Sequence, residues 1–220
     1  MYHAVDSLTT KLATTSYCTE QGQQVKIKLC LIDANWGEST DVIYQVCQRS
    51  AHANILMPAH GTFVGATGKP FSEYTRHKGD RVGSHWRIPS MAKKRAIKHV
   101  LTDVNYWKTF VHSRLETQQG DRGSLTLYGR KKESHISFAE HCTAEYKVAV
   151  SAKGRTVCEW KIKPNNPDNH WFDCLVGCAV GASISGASLP GVQEGGSGYK
   201  KTKKKVSLRE LQKQRGLSER

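Results

Sequence analysis

Residues 29–40 read LCLIDANWGEST. They close an apolar run, residues 25–32, on the carboxylate of Asp33, and then pass through a small polar stretch into STDVIYQVCQRS. In that second segment Val42, Ile43, Val46 and Cys47 recur at helical spacing and predict one buried helix face. An apolar run with few polar interruptions is the pattern of a buried parallel strand. Strand, short turn and helix in that order form a βα unit. A carboxylate closing a buried strand is costly unless something pairs with it, so Asp33 calls for a partner.

Working outward, residues 4–20 read as a short Thr-rich helix, 40–50 as a helix, and 54–57 as a short strand stopped by Pro58. A long loop follows, HGTFVGATGKPFSEYTRHKGDR, rich in Gly, Lys and Arg. Residues 86–88 and 97–101 read as strands, the second ending just before Asp103. Residues 104–116 fit a helix with Trp107, Phe110, Val111 and Leu115 inward. Then come a strand at 125–128, a helix at 138–151, a strand at 156–162 and, after the turn KPNNPDN, a last helix at 169–185. Strands alternating with helices predict an α/β domain with a mostly parallel or mixed sheet. There is no internal repeat.

The 220 residues are enough for one domain with a real core, and 38% hydrophobic with 24% charged residues is a globular composition. The net charge of +14 points to a polyanionic partner, most often nucleic acid. Half of it lies in the tail 199–220, YKKTKKKVSLRELQKQRGLSER, with nine basic and two acidic residues. The predicted organisation is a domain over 1–188, a Gly-rich linker over 189–198 and this basic tail. The tail reads either as a solvated cationic segment or as one that contacts DNA or docks on a partner. Seven cysteines, an odd number without a CxxC pair, predict reduced core thiols in a cytoplasmic protein; Cys174 and Cys178 read as two small core residues. No signal peptide is visible, and the longest apolar stretch, around 174–184, is too short and too Gly-rich to span a membrane.

Three carboxylates stand at element ends. Asp33 closes a strand, Asp103 follows a strand and precedes a helix, and Asp173 lies in the first turn of the last helix, in NHWFDCLVG. Hard divalent cations take carboxylate oxygens, and such ions can clamp a phosphodiester. Each residue also has a structural reading. Asp103 can cap its helix, Asp173 can complement the helix dipole, and Asp33 can fold a turn through Asn35–Gly37. Asp41 reads as a first-turn helix residue that can also reach an ion at Asp33. His170 can orient a water, a phosphate or Asp173, or simply sit half-exposed at a helix start.

Other chemistries fit worse. There is no GxSxG elbow. His141 and Cys142 are neighbours in a helical run and point apart, so they do not form a nucleophile–base pair. GATGKP resembles part of a phosphate loop, but Phe63 and Pro70 break the GxxxxGK[ST] pattern, which excludes a nucleotide-hydrolysing motor here.

In order, LIDANWGESTDVIYQVC, PAHGTFVGATGKP, TDVNYWKTFVHSRL, HISFAEHCTAEYKV and CEWKIKPNNPDNHWFDCLVGCAVGA resemble the C-terminal nuclease region of the large terminase subunit of tailed bacteriophages, of the lambda-like type. Each motif is loose alone; five in the right order are specific, and the resemblance runs over about residues 28–183. The resemblance implies a ribonuclease H-like α/β fold, a central mixed sheet flanked by helices. It implies a metal-dependent endodeoxyribonuclease that cuts concatemeric double-stranded viral DNA during genome packaging, with Mg2+ or Mn2+ held by acidic residues. Asp33 and Asp173 match metal-site positions, and Asp103 matches a family Asp. Lys69, Arg76 and Lys78 in the long loop, with Lys200, Lys201 and Lys203 in the tail, are the expected DNA contacts. The expected partners are other terminase subunits and the portal, in the cytoplasm of an infected bacterial host, with no membrane.

One departure matters. Ribonuclease H-like cores open with a β-hairpin whose first strand carries the first metal-binding Asp, and no such hairpin precedes Tyr2. The ATPase half is missing too. The expectation is a chain that begins inside the nuclease fold, as a fragment, a piece of a split terminase or a mis-called start, with an unpaired sheet edge that invites a partner chain. The alternative is that the Asp33 strand is the first, so that Asp33, Asp103 and Asp173 make a complete triad. The competing function is a non-catalytic basic DNA-binding fragment that completes a split terminase or docks on the packaging machine.

Overall fold

A computed structural model of the chain describes residues 1–19, 21–35, 37–90, 97–129, 131–166 and 168–191. The tail 199–220 with Lys200, Lys201 and Lys203, and the linker from residue 192 onward, lie outside them. In chain order the elements are α1 (Tyr2–Thr14), β1 (Tyr17–Cys18), β2 (Gln24–Val25), β3 (Cys30–Asp33), α2 (Thr40–Arg49), β4 (Leu56–Thr62), β5 (Arg81–Gly83), β6 (Trp86–Ile88), β7 (Val100–Asp103), α3 (Val104–Glu116), α4 (Ile136–Cys142), β8 (Glu145–Ala152), β9 (Arg155–Ile162) and α5 (His170–Ile184). No helix among the described residues is long and apolar enough to cross a membrane.

The centre is a five-stranded mixed sheet in the order β3-β4-β7-β6-β5. The strands β3, β4 and β7 run parallel, whereas β6 pairs antiparallel with both β7 and β5. Alternation along β3 divides its side chains between two cores, as the pleat requires. Leu29 and Leu31 pack with Trp107 of α3 and with Phe172, Val176 and Val180 of α5. Cys30 and Ile32 pack on the other face with Ile43, Val46 and Cys47 of α2 and with Tyr2 and Val5 of α1. The expected α/β class with helices on both sheet faces is therefore what forms.

Several boundaries differ from the sequence expectation, each for a physical reason. The run 25–32 does not form one strand. Lys26 and Lys28 are exposed, and the partner β4 begins only at Leu56, opposite Cys30. Pro58 does not stop β4 but lies inside it. The ladder to β7 starts one residue later, at Ala59↔Val100, so the missing N–H of Pro58 removes no sheet hydrogen bond. Residues 125–128 are not a strand; the Leu125 amide instead donates to the Arg114 carbonyl at the end of α3. The segment 138–151 is not one helix. The helix stops at Cys142, and Glu145–Ala152 pairs with Arg155–Ile162 around Lys153 and Gly154. Both turn residues have positive φ, 51° and 72°, as a two-residue hairpin turn of matching twist demands.

Two contacts bring the loop after β4 against this hairpin. Arg155 donates to the carbonyls of Gly65 and Gly68, the latter at 2.8 Å. Buried Asn105 of α3 donates to Val64 O at 3.3 Å and accepts from the Trp160 amide at 3.2 Å. In the tight β5–β6 hairpin, a Cβ on Gly83 would lie 2.2 Å from the Trp86 ring, so only glycine fits.

Asp80 ties the basic loop to the sheet. Its carboxylate, whose side chain is 2% exposed, accepts the amides of His77 at 2.9 Å and Ser90 at 2.6 Å and meets Arg87 at 3.2 Å. The His77 amide first, and then Ser90, hold this carboxyl below the usual carboxylate range. A depressed folded pKa stabilises above the unfolded value, about 4, and that stabilisation is lost as pH falls through the lower folded value. Asp80→Asn is therefore expected to lower the thermal midpoint at pH 7 by a few degrees. The gap to wild type should narrow as pH falls below about 4. Melting curves at several pH values check this, and a gap that stays constant would contradict it.

Candidate active site

The carboxyl ends of β3, β4 and β7 lie side by side, the edge of an open α/β sheet where ligands bind by rule. Asp33 ends β3 and is exposed; its Oδ1 accepts the Asn35 amide at 3.1 Å. Asn35 then fixes the turn to β4. Its Nδ2 donates to Gly61 O at 2.9 Å, and its Oδ1 meets His60 Nδ1 at 2.9 Å. That assigns a proton to His60 Nδ1, and His60 Nε2 lies 2.9 Å from the Tyr44 hydroxyl. A Cβ on Gly61 would meet Val104 at 2.7 Å, so glycine here permits the close approach of both neighbours.

Asp173 sits in the first turn of α5, half-exposed. Its Oδ1 is 2.9 Å from Lys108 Nζ, and its Oδ2 accepts from Asn169 Nδ2 at 2.9 Å. Lys108 is buried in α3 and also donates to Glu145, itself buried at the start of β8. Asn169 donates to the same Glu145 oxygen at 2.5 Å. One lysine thus links α3, β8 and α5 and orients Asp173. Neither Lys108 nor Glu145 stands out in a motif search. The available signal is a lysine on the inward stripe Val104, Val111, Leu115 of a helix, which requires a buried counter-charge.

Asp33 and Asp173 lie on the same side of the sheet. Asp33 follows Leu29 and Leu31 on the α5-facing side, and Gly181 of α5 packs against both leucines. The Cys174 thiol is pushed up by burial first, then by Cys178, Asp173 and Asp33. Cys47 and Cys30 on the opposite face are likewise pushed up by burial, Cys47 to about 12, which keeps them protonated and poor nucleophiles. The expectation of core thiols holds for Cys47 and Cys142. Cys174 and Cys178, expected in the core, are instead exposed on α5, and Cys18 is exposed on β1.

Asp103 is placed apart from this pair. The register Asp33↔Ala59 and Ala59↔Val100 puts Asp103 three residues further along and on the opposite pleat. Two strand spacings and three residues separate the Cα atoms of Asp33 and Asp103 by roughly 14 Å. Asp103 is buried, caps α3 by accepting the Tyr106 amide at 3.1 Å, and meets His85 Nδ1 at 3.2 Å. His85 stacks on Tyr106 at 3.6 Å and completes that staple. Asp41 is exposed in the first turn of α2. His170 is exposed, with Nε2 3.9 Å from Asp168. Lys69, Arg76 and Lys78 are exposed on the loop after β4, Lys69 over the Tyr74 ring. Among the described residues no three His, Cys, Asp or Glu side chains are grouped closely enough to hold a metal ion.

The sequence model of the endonuclease domain of the terminase large subunit gpA matches residues 1–193. The chain belongs to this family. The match covers every element of the sheet and its helices, and it gives this gpA-type domain a nuclease role in phage DNA packaging. No curated protein and no solved structure matches the chain.

Proposed function

We propose that this domain is a metal-dependent endodeoxyribonuclease that cuts concatemeric double-stranded DNA during packaging, with Asp33 and Asp173 as its metal-holding carboxylates. The observation that supports this reading is that Asp33 ends β3 in register with the leucines that α5 covers, with Asp173 in the first turn of α5. The donor set fits a hard cation: Mg2+ is commonly held by one or two carboxylates, with water and substrate phosphate completing its shell. Bound there, Mg2+ or Mn2+ would activate water and stabilise the charge on the leaving oxygen. The chain's own residues supply the frame. Asn35, held by Gly61 and His60, fixes the Asp33 turn, and Lys108 with Asn169 fixes Asp173. Lys69, Arg76 and Lys78, with Lys200, Lys201 and Lys203 of the tail, would contact phosphates.

The five-stranded mixed sheet with helices on both faces supports a ribonuclease H-like assignment. By family, the substrate is viral DNA, the partners are other terminase subunits and the portal, and the place of action is the cytoplasm of the infected host. The test is nicking of supercoiled plasmid with Mg2+ or Mn2+. The expected result is cleavage that a chelator abolishes; equal cutting in chelator overturns the metal assignment.

One observation favours a second reading, in which the domain needs another chain to complete it. Among the described residues β3 has a strand neighbour on one side only. A strand added along its other edge by a partner would extend the sheet and could bring a further carboxylate. Salt-sensitive DNA binding without cleavage by the isolated chain, with cleavage restored by the partner chain, is what that reading predicts.

A further inference from the structure

We propose that Trp171 is a stacking platform for a nucleobase of the DNA substrate, at the N-terminal end of the helix that carries Asp173. The choice of ligand rests on the nuclease reading; the platform itself rests on geometry. Trp171 lies in the first turn of α5 and remains 45% exposed, while the next residue, Phe172, is completely buried. Despite this exposure its ring is held. His141 stacks on it at 4.6 Å with 19° between planes, and Phe138 lies at 6.1 Å and 27°. Phe138 and His141 are one turn apart on α4, so both back the indole from the α4 side. His170 adds a second imidazole, 6.1 Å from His141.

A large aromatic ring, braced from behind and open to water, is matched by another flat ring. The neighbours that hold it are themselves rings, Phe138 and His141. Every base has a π-face, so such a platform adds affinity without reading sequence. It takes a base only when that base is out of the duplex stack, in a single strand or a frayed end. Trp171 shares the first turn of α5 with Asp173 but leaves the helix on another side, toward α4, while Asp173 meets Lys108 of α3. The net charge of +14 supplies the attraction for the strand that carries the base.

The test uses the full chain without divalent metal and a single-stranded oligonucleotide containing 2-aminopurine, with a blunt duplex as reference. Wild type is expected to change the 2-aminopurine emission on binding. Trp171→Ala should bind the single strand about tenfold more weakly and lose the emission change, with duplex affinity within about twofold. Trp171→Phe, which keeps a ring and guards against misfolding, should retain most of both. No emission change with wild type, unchanged single-strand affinity in Trp171→Ala, or an equal loss on single and double strands overturns the proposal. Plasmid cleavage with Mn2+ is run in parallel. Absent cleavage with a Trp171-dependent emission change supports the platform and removes the nuclease reading. Cleavage without such a change removes the platform alone.

Discussion

Asp33→Asn and Asp173→Asn are each expected to reduce metal-dependent DNA cleavage by about 10³-fold or more, because each removes a negative charge from a site that needs hard oxygen donors. The amide is nearly isosteric, so the local frame survives. Asn at 33 still accepts the Asn35 amide, and Lys108 retains buried Glu145 when residue 173 becomes neutral. Both variants should therefore melt close to wild type while losing activity. Asp103→Asn is the informative control. Asn caps a helix as well as Asp does, so α3 is preserved, and cleavage should stay within a few-fold of wild type. Plasmid cleavage rates with Mn2+, with melting curves alongside, separate the three. A fall of similar size in Asp103→Asn would contradict the assignment of that residue to a structural staple.

Lys108→Met is expected to have the largest effect on stability. Lys108 and Glu145 are both buried, and removing the lysine leaves Glu145 in the core with Asn169 as its remaining partner. Breaking a buried pair in this way costs about 3–5 kcal/mol. For a domain of this size that lowers the melting midpoint by roughly 10–15 °C. The double variant Lys108→Met, Glu145→Gln should recover most of the loss, since no uncompensated buried charge remains. It should still cleave poorly, because Asp173 then has no lysine to orient it. Calorimetry on the single and double variants checks the stability claim. A single variant that melts like wild type would show that Lys108 and Glu145 do not form a buried pair.

The local parts of this fold were legible in the sequence. Helix α3 was readable over its full length because Asp103 is a strong cap and Trp107, Phe110, Val111 and Leu115 keep the helical period. Helix α2 followed from its helical period alone, and α5 from the turn KPNNPDN that precedes it. What escaped was decided at a distance. The stretch HCTAEYKVAV contains good helix formers, yet Glu145 is held by Lys108, 37 residues away, and the strand follows from pairing with β9. Pro58 reads as a strand breaker, and only the late start of the β7 ladder makes it harmless. The candidate site shows the same division. Asp33, Asp103 and Asp173 were recognisable as acids at element ends. Which of them face each other depends on strand register, and a three-residue offset sends Asp103 to the opposite face. Lys108 was visible only as an anomaly, a charge on an apolar stripe.

The most direct test of the central claim is titration of Mn2+ into the purified chain, followed by calorimetry, for wild type and the three Asp→Asn variants. Binding that is lost in Asp33→Asn and in Asp173→Asn but kept in Asp103→Asn is the predicted result. Binding that survives both Asp33→Asn and Asp173→Asn, or that disappears with Asp103→Asn alone, would contradict it.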